Sequence, residues 1–147
     1  MILSPARLIL SPELLDQILT HARESRPREA VGLLGGRPTG EVDIALPLVN
    51  IASSERAFIA DPYSQYCALR RIEAENLNVL AIYHSHPGGG VDPSVEDLVH
   101  ARKWECAHLI VALQQRSDNG ERFRAFRFDQ LGGTATAEIQ VIVRARE

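Results

Sequence analysis

One stretch constrains the fold of this chain more than any other. The apolar run Val79-Leu80-Ala81-Ile82-Tyr83 leads without a break into His84-Ser85-His86-Pro87-Gly88-Gly89-Gly90. Five apolar residues in a row, closed by turn formers, read as a buried strand. Side chains alternate between the faces of a strand, so His84 and His86 project from the same face. Pro87 biases His86 toward extended geometry and ends the strand. The three glycines are expected to let the backbone turn tightly. Ser94 then opens a helix with Asp97 in its first turn, so two imidazoles and one carboxylate can converge on a single point.

That set is chemically pointed. Neutral His and Asp are ordinary zinc ligands, and three protein ligands leave a fourth tetrahedral position for water. Zinc lowers the pKa of such a water to roughly 7. Iron or manganese would also suit these donors. A hydrolytic site of this kind needs a proton acceptor close by. Glu29, heading the run Ala30-Val31-Gly32-Leu33-Leu34-Gly35-Gly36, is the best placed candidate, although in isolation it reads as a solvated residue at a strand start. Ser94-x-x-Asp97 has a second reading as a capping box, with Asp where Glu or Gln is usual. Asp97 cannot freely cap and bind metal through the same oxygen. His21, His100, Cys106 and His108 lie outside the spacing and read as structural.

The pattern His84-x-His86-Pro87, six residues, Ser94, two residues, Asp97, with Glu29 upstream of an apolar strand, resembles the JAMM (MPN-plus) metalloprotease family. Glu29 to Gly36, Asn50, Phe58 and Asp61-Pro62 look like its bacterial branch, and the resemblance covers roughly Leu8 to Val143. It implies the MPN fold: a curved, partly barrel-like mixed sheet flanked by helices, with the metal site where the central strand meets the third helix. It implies zinc held by His84, His86 and Asp97, with Glu29 as general base and Ser94 as oxyanion donor. Implied substrates are conjugates of ubiquitin-like or sulfur-carrier proteins, cut after their C-terminal Gly-Gly and released from cysteine or from lysine side chains. Relatives that cleave ubiquitin chains carry large insertions that a chain of this length does not hold. A non-catalytic MPN scaffold is the first alternative, and such scaffolds usually lack the full ligand set. A RadC-like DNA-associated protein is the second. Those normally carry a helix-hairpin-helix region and Asn where Ser85 stands.

Length and charge narrow the field further. The 147 residues are expected to form one α/β (α+β) domain. A net charge of −3 gives no electrostatic footprint for nucleic acid. No apolar run approaches the ~20 residues needed to span a bilayer. The start, Met1-Ile2-Leu3-Ser4-Pro5, lacks a basic region and a long apolar stretch, so no signal peptide is expected. Two distant cysteines, Cys67 and Cys106, suit a reducing cytoplasm.

The remaining elements follow from local signals. Arg7 to Leu10 is a strand. Ser11-Pro12 starts a helix to about Ser25 that buries Leu14, Leu15, Ile18, Leu19 and Ala22. Glu29–Gly36 and Glu41–Val49 form a hairpin about Pro38-Thr39-Gly40. Ala57 to Ala60 is a short extended piece. Asp61-Pro62 starts a second helix with Tyr63, Tyr66, Leu69 and Ile72 on one face and Cys67 as a buried hydrophobe. A third helix is expected from Ser94 to about Trp104. Strands follow at Cys106–Leu113, at Glu121–Asp129 beyond an Asp118-Asn119-Gly120 turn, and beyond Gly132-Gly133 from Ala137. In the Glu121–Asp129 strand, Arg122, Arg124 and Arg127 alternate with Phe123, Phe126 and Phe128. This reads as a sheet strand with its arginines outside rather than a nucleic-acid surface.

Overall fold

A computed structural model describes residues 1–97, 104–113, 123–128 and 136–146. The elements are β1 (Arg7–Leu10), α1 (Pro12–Ser25), β2 (Val31–Gly36), β3 (Val42–Leu48), α2 (Pro62–Ala74), β4 (Asn78–His86), β5 (Ala107–Ala112), β6 (Phe123–Phe128) and β7 (Thr136–Val143). A helical turn begins at residues 95–97. The rest of the expected third helix, with His100, lies outside the described residues, as do Asp118-Asn119-Gly120 and Gly132-Gly133.

The strands form one mixed sheet in the order β1-β7-β6-β5-β4-β2-β3. The β1–β7 and β4–β5 pairs are parallel and the others antiparallel. β1 and β3 stand at opposite ends of this order, yet the Ile9 amide donates to the Gly40 carbonyl at 2.9 Å. The two edges meet there, so the sheet curls toward closure, as the resemblance implies. Gly40 permits the meeting: its φ is +95°, and a Cβ would stand 2.2 Å from the Arg7 carbonyl oxygen.

Helix starts follow the sequence signals. Ser11 accepts from the Leu14 amide and Asp61 from the Ser64 amide, each with proline next in line. α1 buries Leu14, Ile18, Leu19 and Ala22 on one side of the sheet, against Leu8, Leu10, Tyr83 and Leu109. A second apolar layer on the other side joins Val31, Leu33, Phe58, Ile72 and Ile82. β4 is buried along nearly its whole length between the two layers. Tyr83 faces α1, while Ile82, His84 and His86 face the opposite way.

Gly32 decides how closely β2 and β4 approach. It pairs with Tyr83, and a Cβ on it would fall 2.1 Å from the Tyr83 ring. The ring is held at its other end by a 2.7 Å hydrogen bond between His21 Nδ1 and the Tyr83 hydroxyl, so it has little room to yield. Gly32→Ala is therefore expected to destabilise the fold by at least the ~1–3 kcal/mol typical of overpacking. A lower urea midpoint at unchanged slope would show it, and an unchanged midpoint would mean the ring moves freely.

Three expectations need correction. Tyr63 and Tyr66 are 74% and 56% exposed, and α2 buries Ala68 beside the expected Ile72. Cys67 is exposed as well. β2 starts at Val31, two residues after Glu29. For the tyrosines the cause is that the small Ala68 fits closest to the sheet, which leaves the larger rings at the rim of the helix. The short piece at Ala57 to Ala60 pairs antiparallel with the chain around Asn50, through a bridge from Ala60 to Asn50 and the Ile51 amide donating to the Ile59 carbonyl.

Candidate metal centre

β4 delivers His84 and His86 to the same side of the sheet, and the turn after Ser94 brings Asp97 up to them. His84 Nε2 and His86 Nε2 are 3.2 Å apart. Asp97 Oδ1 lies 3.0 Å from His84 Nε2, and Oδ2 lies 3.0 Å from His86 Nε2. Glu29 completes the group, with all four donor atoms within 4.8 Å of one another and all four residues buried.

These separations fit a cation. Metal–ligand bonds of about 2.0–2.1 Å put the corners of a tetrahedral site about 3.4 Å apart. The His86 Nδ1–H donates to the Gly90 carbonyl at 2.7 Å, which leaves the lone pair of a neutral ring on Nε2. That lone pair then faces a carboxylate oxygen and a second imidazole, an arrangement that needs a proton or a metal ion between the partners. Such a bond to the far nitrogen is also how metal-binding histidines are commonly oriented. Glu29 Oε1 adds a further sign, being a buried oxygen without a hydrogen-bond partner among the described residues.

The electrostatics agree. Burial alone would raise the Asp97 pKa, but hydrogen bonds from His84, His86 and the Ser94 amide hold it well below the usual carboxylate range. Burial pulls His86 down, and the Asp97 carboxylate and the Gly90 carbonyl reverse this to a net rise. Glu29 is pushed up to about 7, chiefly by burial, with Asp97 and Glu96 adding to the effect and His86 opposing it. A carboxyl poised near neutrality suits a group that takes and returns a proton.

Asp97 makes the cap and also faces both histidines. Its Oδ2 accepts from the Ser94 amide at 2.8 Å, and the Asp97 amide donates to Ser94 Oγ at 3.1 Å, which completes a capping box. Oδ1 takes no part in the cap and remains directed at His84. Ser94 Oγ acts only as an acceptor in the box, so its proton is available to a ligand.

Glu29 is positioned from both sides of its own peptide. Asn50 Nδ2 donates to the Glu29 carbonyl at 2.9 Å, and the Ala30 amide donates to Ser85 Oγ at 2.8 Å. Arg28 donates to the carbonyls of Asn50 and Ala52. Phe58 lies against the His84 ring at a centroid distance of 4.8 Å. Of these, Asn50 and Phe58 stood in the sequence only as flanking residues of a resemblance, and Ser85 carried no signal beyond its place between two histidines.

The group opens into a cleft of about 780 Å³ lined by Arg26, Glu29, Arg56, His86, Gly88, Gly89 and Ser94, among others. The chain turns at Pro87-Gly88 as expected, and Gly88 and Gly90 also leave open space there. Neither has a positive φ, and a Cβ on either would meet nothing within 4 Å. They leave the backbone bare beside the cleft. Cys106 and His108 are buried, with His108 on the same side of the sheet as His84, and neither joins the donor group. Burial pushes the Cys106 thiol up to about 12 and His108 down to about 4. Arg124 is paired with Asp92 at 2.6 Å and with Glu138 at 2.7 Å, which fits an outward sheet arginine.

A family model of prokaryotic homologs of the JAB domain matches residues 11–129. A probable TtuB-protein conjugate cleaving protease of Thermus thermophilus is 42% identical over 98 residues, covering 66% of this chain and 64% of that protein, just under two thirds of its length. A desampylase of Haloferax volcanii is 35% identical over 132 residues, covering 83% of this chain and 95% of the other. The solution structure of a Desulfitobacterium hafniense protein superposes with a TM-score of 0.81 at 28% identity, covering 95% of this chain and 94% of that one.

Proposed function

This chain belongs to the family of prokaryotic JAB-domain homologues, and from that premise we propose that it is a zinc-dependent isopeptidase or peptidase. It hydrolyses the amide bond after the C-terminal Gly-Gly of a ubiquitin-like or sulfur-carrier protein. The observation that carries this reading is the buried meeting of His84, His86 and Asp97 with Glu29 at the head of an open cleft. The names of the Thermus and Haloferax relatives, a conjugate-cleaving protease and a desampylase, support the substrate class.

A zinc ion held by His84, His86 and Asp97 would supply Lewis acidity toward the scissile carbonyl and an acidified water. The chain's own groups do the rest. Glu29, with its pKa near 7, takes the proton of the attacking water and passes it to the leaving amine. Ser94 donates a hydrogen bond from its hydroxyl to the oxyanion as the carbonyl becomes tetrahedral. The bare backbone at Gly88 and Gly89 gives a narrow Gly-Gly tail room to lie close. The complete donor set weighs against a scaffold without chemistry. No described helix is long and apolar enough to cross a membrane. The free Cys67 and Cys106 suit work in the reducing cytoplasm.

The test is incubation of the zinc-loaded protein with the host's Gly-Gly-ending carrier proteins, each fused to a C-terminal peptide, followed by mass spectrometry. Release of the peptide with the carrier ending in Gly-Gly is expected, and intact fusions throughout would remove the activity. Ser94→Ala is expected to keep its zinc and to lose roughly 10²–10³ in turnover, as other oxyanion donors do. It also loses half of a capping box, worth about 0.5–2 kcal/mol. Measuring rate at full folding separates the two effects, and an unchanged rate would leave Ser94 a cap alone.

A further inference from the structure

We infer that Ser85 and Asn50 are positioning residues that hold Glu29 over the metal-binding group by clamping the peptide bond that follows it, one at its N–H and the other at its oxygen. This rests on the reading of Glu29 as the base. The geometry is unusual for a sheet. Extending the β2–β4 register one step beyond Val31 and His84 places Ala30 opposite Ser85. A regular antiparallel pair at that point would exchange two backbone hydrogen bonds. One is made, from the Ser85 amide to the Ala30 carbonyl at 3.0 Å. For the other, the Ala30 amide donates to Ser85 Oγ instead of the backbone oxygen. The hydroxyl thus completes the ladder's last step while letting the chain enter from outside the plane of the sheet, and β2 begins at the next residue.

Ser85 is fully buried, and its side chain points away from the side that carries the two histidines. It shares their segment without touching the donor group. At the oxygen end of the same peptide, Asn50 Nδ2 donates to the Glu29 carbonyl and to the Ala57 carbonyl, at 2.9 and 3.2 Å. Asn50 Oδ1 accepts from the Ala52 and Ile59 amides at 2.9 and 3.0 Å. One side-chain amide therefore ties the Glu29 backbone to the loop that lines the cleft. With the Glu29–Ala30 peptide plane held at both its N–H and its oxygen, the backbone carrying the Glu29 side chain has less freedom to shift the carboxylate. Small errors in such placement are costly in rate, since a displacement of about 1 Å can lose 10²-fold.

The test is a double-mutant cycle. Ser85→Ala removes the hydroxyl. Asn50→Asp keeps Oδ1 for Ala52 and Ile59 but sets an acceptor against the Glu29 carbonyl. Each is made in the wild type and in Glu29→Gln, with a Gly-Gly-ending carrier fused to a C-terminal peptide as substrate. Each single variant is expected to lower kcat at least tenfold with KM and zinc content unchanged, and to have no further effect in the Glu29→Gln background. Ser85→Thr, which keeps the hydroxyl, is expected to restore most of the rate. In the metal-free protein, the Ala30 amide is expected to exchange its hydrogen faster in Ser85→Ala than in the wild type. Equal losses in both backgrounds, or an unchanged kcat, would overturn the clamp. Should Ser85→Ala not fold, Asn50→Asp decides the cycle by the same outcomes. Wild-type turnover in Glu29→Gln alone would overturn the base reading and the clamp with it, a result separable from failure of the clamp by itself.

Discussion

Glu29→Gln is expected to fold, to bind zinc in full and to bind the carrier tail, yet to lose about 10²–10⁴ in turnover. Glutamine keeps the volume of the side chain and an oxygen at its end, but it cannot accept the water's proton. The Glu29 carboxyl also carries a stability signature in the metal-free protein. Its folded pKa, about 7, stands above the ordinary value of 4.5. Its contribution is therefore fully present below pH 4.5 and is lost as pH rises through 7, because the folded state must then hold an unfavourable buried charge. Over that window the stability of Glu29→Gln should improve relative to the wild type by up to about 3 kcal/mol. Chelator-treated samples unfolded in denaturant at pH 4.5 and pH 8 would measure the difference. A constant difference between the two pH values would mean that Glu29 is solvated, and undiminished turnover would remove it as the base.

Much of the framework was legible because it rests on local signals. The run from Val79 to His86 could only be a buried strand, and the Ser11-Pro12 and Asp61-Pro62 pairs fixed where the helices begin. The spacing of His84, His86, Ser94 and Asp97 lies within fourteen residues, so strand alternation and one helical turn suffice to bring those donors together. Glu29 is different. It reaches His86 only because β2 and β4 pair fifty-five residues apart, as the Ala30–Ser85 bond shows. That pairing follows from the resemblance and from no local pattern. Phe58 against His84 and Asn50 against Glu29 were hidden for the same reason, since each depends on how a loop closes on a distant strand. The misreading of α2 has another origin. Helical spacing identified Tyr63, Tyr66, Leu69 and Ile72 as one stripe; Ile72 is buried and Leu69 partly so, but the two tyrosines stay exposed and Ala68, whose small size allows closer approach, is buried.

His84→Ala and His86→Ala are each expected to abolish both zinc content and hydrolysis. With three protein ligands the site has none to spare, and removing one imidazole leaves a two-donor chelate facing an open cleft. His84 is the harder case, because its ring is fully buried against Phe58. Truncation there opens a cavity as well as removing a ligand, and large-to-small core changes typically cost about 2–5 kcal/mol. Lost activity alone would therefore not distinguish a broken metal site from a weakened fold. Asp97→Asn makes the distinction. The asparagine oxygen can still accept from the Ser94 amide, and the Asp97→Asn backbone amide can still donate to Ser94 Oγ, so the capping box survives. What is lost is the negative charge that stands 3.0 Å from both imidazoles. Asp97→Asn should thus keep a near-native unfolding midpoint in the metal-free state while its zinc content falls. Metal analysis of all three purified variants beside their denaturation curves reads both quantities. Full zinc occupancy in either histidine variant would remove that residue from the metal, and a destabilised Asp97→Asn that keeps its zinc would reduce Asp97 to a cap.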